Sequence, residues 1–260
     1  MWGFMNFINK DNLFLLEEIV KNNFSSIYKD SILGMLWTIL NPLLMMALFT
    51  IIFSTLFKRN IDNFPVYFLC GWCIVTFFNR VIGVAMYSLK GNKNILQRTP
   101  APKHIFVMGS IISEGLTFII MLILLVIIMI ITHAPFYWFT IPFSIIPVAS
   151  LLFMITGLGL MVSIICVYYS DLQHLWSVIS MAIFYSSSVF YPMEIFPEPF
   201  HQYLVLNPVY WVVDQFRSFI YYGVFPSLIQ ILNLVLLSLI ILVFGLIVFK
   251  KYEDKVTMNF

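Results

Sequence analysis

The chain has 260 residues, of which 61% are hydrophobic and only 10% charged. A soluble domain of this size carries roughly a quarter charged residues, and several apolar runs here exceed the ~20 residues that cross a bilayer, so composition points away from a soluble fold and towards a polytopic all-α membrane protein. The runs lack the alternation of a membrane β-barrel, and the net charge of +2 is uninformative until its distribution is read.

Residues 11–29 place Leu13, Leu16, Val20, Phe24 and Ile27 on one helical face and Glu17, Glu18, Lys21 and Asn22 on the other. This predicts an amphipathic helix capped by Asp11 or Asn12, lying in the membrane interface or packed on other protein. The first apolar run starts near residue 32, behind this charged segment, and is too long for a signal h-region, so no cleavable leader is expected.

Six spans follow, at about 32–57, 64–89, 105–131, 139–167, 175–191 and 225–249. Pro42 lies inside the first, where it removes a backbone donor. Pro142 and Pro147 fall in the first turns of the fourth, where proline is tolerated. The loop at 91–104 is the most basic in the chain, and 168–174 forms a tight polar turn. With six spans, Lys10, Lys21, Lys29, Lys90, Lys93, Arg98, Lys103, Lys250, Lys251 and Lys255 share one side, against Lys58, Arg59 and Arg217 on the other. That bias predicts cytoplasmic termini and an outer position for residues 192–223.

Two charges remain inside the spans, Arg80 and Glu114. Each is about nine residues from the same membrane face, so both lie roughly 13 Å deep and are expected to pair. The pair reads either as a lock between helices or as part of a passage.

The segment 192–223 holds Pro192, Pro197, Pro199 and Pro208 together with Glu194, Glu198, His201, Asp214 and Arg217. It is too broken to span and too aromatic for a solvated loop. Irregular backbone at membrane depth needs cover from protein or a water-filled cavity. Its halves, Met193–Leu206 and Pro208–Tyr222, are each long enough for a short helix, so a re-entrant hairpin turning at Asn207-Pro208 is expected.

Chemistry-bearing motifs are scarce. There is no phosphate-binding loop. Cys70, Cys73 and Cys166 all fall in apolar runs, without histidines at zinc-ligand spacing. His104, His133, His174 and His201 are scattered near span ends. Glu194, Glu198 and His201 leave open a membrane enzyme acting on polyprenyl-linked substrates, although solvated outer-loop carboxylates are the simpler reading. Aromatics make up 18% of the chain, many at span ends, including Trp37, Tyr67, Tyr87, Trp176, Tyr191 and Trp211. Flat sugar faces stack well on such rings. The run Tyr185-Ser186-Ser187-Ser188 sets four hydroxyls in a predicted span and is expected to face a cavity.

LGMLWTILNPL at 33–43, the basic loop after the second span, Ser170-Asp171, and the pattern from Tyr191 to Tyr221 with Asn207-Pro208 and Arg217 together resemble the permease subunits of ABC-2 type polysaccharide exporters. Nearly the whole chain takes part. The resemblance implies that two copies pair with two separate ATPase subunits, which hold the ATP and Mg²⁺. This chain then needs no cofactor of its own and no nucleic acid, and it works in the plasma (inner) membrane among lipids. It implies ATPase coupling through Asn94, Gln97, Arg98 and Lys103, with Asp171 as a smaller contact. It also implies an outer gate at Asn207, Pro208 and Arg217. Trp37, Asn41, Tyr185, Ser187 and Tyr191 are expected to line the path of a lipid-linked glycan, with an exporter of drugs or other lipids as the alternative. One departure is visible: relatives often carry Arg-Asp where this chain has Ser170-Asp171.

Overall fold

The structure, a computed structural model, describes residues 10–26, 33–55, 61–99, 101–192 and 204–256. Lys29, Lys58, Arg59, Glu194, Glu198, His201 and most of the first half of the expected hairpin lie outside these. The described residues form helices and no strands. In order they are α1 (Lys10–Ser26), a 3₁₀ turn (Gly34–Leu36) leading into α2 (Trp37–Thr55), α3 (Phe64–Gly91), α4 (Lys93–Arg98) and α5 (His104–Ile131). A second 3₁₀ turn (Ile141–Ser144) enters α6 (Ile145–Tyr168), followed by α7 (Leu172–Ser186), α8 (Pro208–Arg217), a π turn (Ser218–Tyr222) and α9 (Leu228–Val256).

Five stretches are long and apolar enough to cross a membrane: Gly34–Phe53, Phe64–Gly91, His104–Ile131, Ile141–Tyr168 and Leu228–Val256. Helix is the form that satisfies every backbone group within such a segment. The stretch expected as the fifth span, 175–191, is helical only to Ser186. Serine hydroxyls there compete for backbone: Ser187 Oγ donates to Ile183 O at 2.6 Å, and Ser188 adopts a left-handed φ of 51° that ends the helix.

The bundle is organised around α3, which packs on α2, α5, α6, α7 and α8. Of the most apolar window in each helix, 67% is buried in α3 but only 17% in α2 and α9, so α3 is the hub and those two are peripheral. Phe68, Leu69, Cys70, Ile74, Val75 and Val81 on α3 are all fully buried.

Lipid tails are as apolar as leucine, so helices in a membrane associate through close packing and not through hydrophobic expulsion. Small residues make that possible at two crossings. Gly157 of α6 and Gly245 of α9 meet back to back, and a Cβ on either would lie under 3.0 Å from the other helix's backbone. Gly109 of α5 accepts the Ile19 side chain of α1, which would meet a Cβ there at 2.5 Å. Ile19 is buried, whereas Leu13 and Phe14 of α1 are 55% and 71% exposed, so α1 packs by one edge and leaves another apolar edge free.

Overpacking a close crossing costs about 1–3 kcal/mol. Gly157→Val and Gly245→Val should therefore each lower the melting temperature of the purified chain clearly. Gly115→Ala, with no atom within 4 Å of an added Cβ, should leave it within a degree or so, as read by a thermal size-exclusion assay.

Candidate functional site

At the end of the bundle where α3 begins, two polar side chains fasten α8 to the end of α7. Asn207 precedes the helix, with Pro208 in its first turn, where the missing N–H costs nothing. Its Oδ1 accepts from Val209 N at 3.0 Å, a capping bond. Its Nδ2 lies 2.8 Å from Ser186 Oγ and Ser187 Oγ, and 3.2 Å from Ile183 O. At the other end of α8, Arg217 is only 4% exposed. Its Nε donates to Tyr67 O at 3.2 Å, Nη1 to Tyr67 OH at 3.0 Å and Ser188 O at 2.7 Å, and Nη2 to Val189 O at 2.6 Å. The guanidinium also lies over the Tyr67 ring, 3.7 Å from its centroid. A Cβ at Gly71 would approach Nη2 to 2.6 Å, so glycine there makes room for the cation.

These acceptors are all neutral. A buried charge survives only when its hydrogen-bonding capacity is met, and here three backbone carbonyls and a phenol meet it. The gate residues expected from the sequence, Asn207, Pro208 and Arg217, therefore form one knot with residues 183–189 and α3. Tyr67 and Gly71 belong to it too; the sequence marked Tyr67 only as a belt aromatic.

Beyond the knot, Thr140 Oγ1 donates to Phe219 O at 2.6 Å, and the Tyr221 hydroxyl donates to Asp62 O. Burial, reinforced by Tyr222 and Asp62 and opposed by Arg217, pushes the Tyr221 phenol up to about 12, so it remains a donor at neutral pH. Gly223 ends the π turn at φ 66°, with the Tyr137 ring against its Cα, where any Cβ would collide.

Both α2 and α7 pack on α3 and are otherwise little covered; α7 has no buried residue. Trp37 and Tyr185 are 47% and 54% exposed, and Asn41 is exposed as well. Tyr191 is half-buried, its hydroxyl bonded to Tyr185 O. Phe190, in the chain after α7, bridges the two helices at one end: it stacks on Phe49 of α2 at 5.0 Å and touches Phe184 and Tyr185 of α7 at 5.9 Å each. Ser187 departs from expectation. It is fully buried, and so is Ser188, because the Ser187 hydroxyl and the Ser188 carbonyl serve the knot and face protein in place of a cavity.

The opposite end of the bundle carries the residues expected to couple. Leu96 anchors α4 by burial, leaving Asn94, Gln97 and Arg98 exposed. Lys103 donates to Glu253 O on α9. Lys90 Nζ reaches Ser170 Oγ at 2.7 Å, joining the end of α3 to the turn that contains the exposed Asp171.

Midway along α3 and α5, Arg80 and Glu114 form a forked ion pair, Nε to Oε2 at 2.9 Å and Nη2 to Oε1 at 3.3 Å. Glu114 is 4% exposed and Arg80 34%. The three cysteines are free and buried, and no group of three or more potential metal ligands occurs among the described residues.

Residues 15–221 match the ABC-2 type transporter family. The chain is 24% identical over 230 residues to the O-antigen export system permease protein RfbA of Myxococcus xanthus, covering 88% of each chain. It is 24% identical over 241 residues to the protein of that name from Klebsiella pneumoniae, covering 92% of each. Against the polysialic acid transport protein KpsM of Escherichia coli it is 22% identical over 225 residues, covering 85% of this chain and 87% of KpsM.

Arg217→Lys keeps the charge but cannot reach the three carbonyls and the Tyr67 hydroxyl together. Orphaning two of them should cost about 2 kcal/mol or more. Asn207→Ala should cost about 1 kcal/mol through the lost cap. Denaturation of the purified chain in detergent should rank wild type above Asn207→Ala above Arg217→Lys.

Proposed function

The chain belongs to the ABC-2 type transporter family, and from that premise we propose that it is the permease half of an ATP-driven exporter of a lipid-linked polysaccharide of the O-antigen, capsule or teichoic acid type. The observation that carries this reading is the α2–α7 face. Two helices that share α3 are left largely uncovered and flanked by aromatics, in a chain similar along most of its length to proteins named for O-antigen export and for polysialic acid transport. An exporter of drugs or other lipids would use the same face, but those relatives weigh towards a glycan.

In this reading two copies of the chain enclose the path, with α2 and α7 of each contributing Trp37, Asn41, Tyr185 and Tyr191. Two ATPase subunits bind ATP and Mg²⁺ and press on α4 and on the turn at 168–174. The bond from Lys90 to Ser170 makes these two contacts move together. The push then rocks α2 against α7. The Arg80–Glu114 pair acts as a lock that keeps α3 and α5 rigid during the stroke.

The finer topology follows the same logic. At ~1.5 Å per residue, the 15 residues of α7 cover about 22 Å, less than a bilayer core. Counting α7 as the short fifth span gives six. Then α8, fastened to its end, turns back as the second arm of a re-entrant hairpin on the outer side. The exposed Leu13 and Phe14 suit an α1 that lies in the cytoplasmic interface. Both termini are cytoplasmic and the membrane is the plasma (inner) membrane.

The test is glycan export by the chain reconstituted with its ATPase. Trp37→Ala and Tyr185→Ala each remove stacking worth about 1 kcal/mol, which should slow export roughly five- to tenfold while melting behaviour stays unchanged. ATP hydrolysis by the purified chain alone, or full export by both variants, would overturn the reading.

A further inference from the structure

Beside the knot, and apart from the α2–α7 face, the described residues enclose a pocket of about 370 Å³. It opens between the start of α3, the link from α5 to α6, and the π turn. Its walls are Asp62, Asn63, Tyr137, Tyr221 and Tyr222, over an apolar floor that includes Met129. The volume falls in the range of small-molecule sites.

The rings are held in place. Tyr221 and Tyr222 meet at 4.8 Å and 80°, making a right-angled corner. Tyr221 is fixed by its bond to Asp62 O and by an edge contact with Tyr67 at 5.4 Å. Tyr137 is fixed against Gly223, whose positive φ and missing Cβ permit the approach. Asn63 is tied across to Thr132 through its Nδ2 at 2.9 Å. The Asp62 carboxylate is exposed and makes no ion pair among the described residues. Among the described residues no lysine or arginine lines the pocket; Arg217 directs its donors to Tyr67, Ser188 and Val189.

Three tyrosines lining one pocket beside a carboxylate that makes no ion pair among the described residues are complementary to an organic cation. Ring quadrupoles attract an ammonium most strongly when several rings surround it, and a carboxylate adds a charge-assisted contact. We propose that this pocket binds an ammonium group. Two sources share that chemistry: the choline or ethanolamine headgroup of a membrane phospholipid, and an amino-bearing substituent on a saccharide. The assignment does not depend on what the chain transports.

The test uses the full chain in nanodiscs of phosphatidylglycerol, with choline and its neutral isostere 3,3-dimethylbutan-1-ol as probes, read by saturation-transfer NMR. Choline should bind at least fivefold more tightly than the isostere. Asp62→Asn and Tyr222→Ala should each raise its dissociation constant about five- to tenfold at unchanged melting temperature, whereas Tyr87→Ala, on the far half of α3, should not. Equal binding of both probes, no choline binding, or affinity untouched by both variants would overturn the proposal. Repeating the titration in phosphatidylcholine discs assigns the source. Weaker apparent affinity there identifies the lipid headgroup as occupant. Unchanged affinity identifies a soluble or glycan-borne ammonium. Either result stands on the same ammonium chemistry.

Discussion

A guanidinium at 4% exposure, bonded to no carboxylate among the described residues, is held by the neutral acceptors that surround it. Arg217, at the end of α8, draws those acceptors from two other places: Tyr67 in the first turn of α3, through its carbonyl, hydroxyl and ring, and the irregular chain after α7. Satisfying one cation therefore fixes three segments at once. Asn207 does the same at the opposite end of α8, spending its amide on the last turn of α7 and its carbonyl on its own helix. A ten-residue helix that would be marginal alone is thereby held at both ends. The π turn that follows continues this tethering through Phe219 and Tyr221. A one-turn π segment is a common feature of functional sites.

The constraint explains why α7 is short and why its surface is free. Its end is committed to α8, its packing side meets α3 through Trp176 and Phe184, and the described residues leave most of the remainder uncovered. The uncovered side, together with α2, is the face assigned to the path. At the other end, the bond between Lys90 and Ser170 joins the two segments assigned to the ATPase. One chain thus carries a tethered end beside the proposed exit and a linked end at the proposed motor, with α3 running between them as the buried hub.

The long helices were legible because apolar runs of this length have one solution in a membrane. The boundaries expected for the second and third spans, 64–89 and 105–131, lie within two residues of α3 and α5 at Phe64–Gly91 and His104–Ile131. Arg80 and Glu114 were legible as partners because they are isolated charges at matching depth. The knot was legible only in part. Asn207-Pro208 and Arg217 stood out as polar groups in an aromatic segment. Arg217's partners are backbone carbonyls and a tyrosine 150 positions away, and a carbonyl acceptor leaves no signature in sequence. For the same reason Ser187 and Ser188 read as cavity-lining, whereas the Ser187 hydroxyl and the Ser188 carbonyl close the knot. The α6–α9 and α1–α5 crossings were also hidden, because a glycine in an apolar run does not announce which helix will press against it. The ammonium pocket depends on a tyrosine corner assembled from distant segments, which no local pattern encodes.

The central claim is that Arg217 binds the end of α7, the start of α3 and α8 into one cooperative unit. Hydrogen–deuterium exchange of the intact chain in nanodiscs tests it most directly, by comparing wild type with Arg217→Lys. The account predicts that amides of 183–189 and 208–222 lose protection together in the variant, while the middle of α3 and the α6–α9 crossing keep theirs. Loss confined to α8, or protection unchanged in both segments, would contradict it.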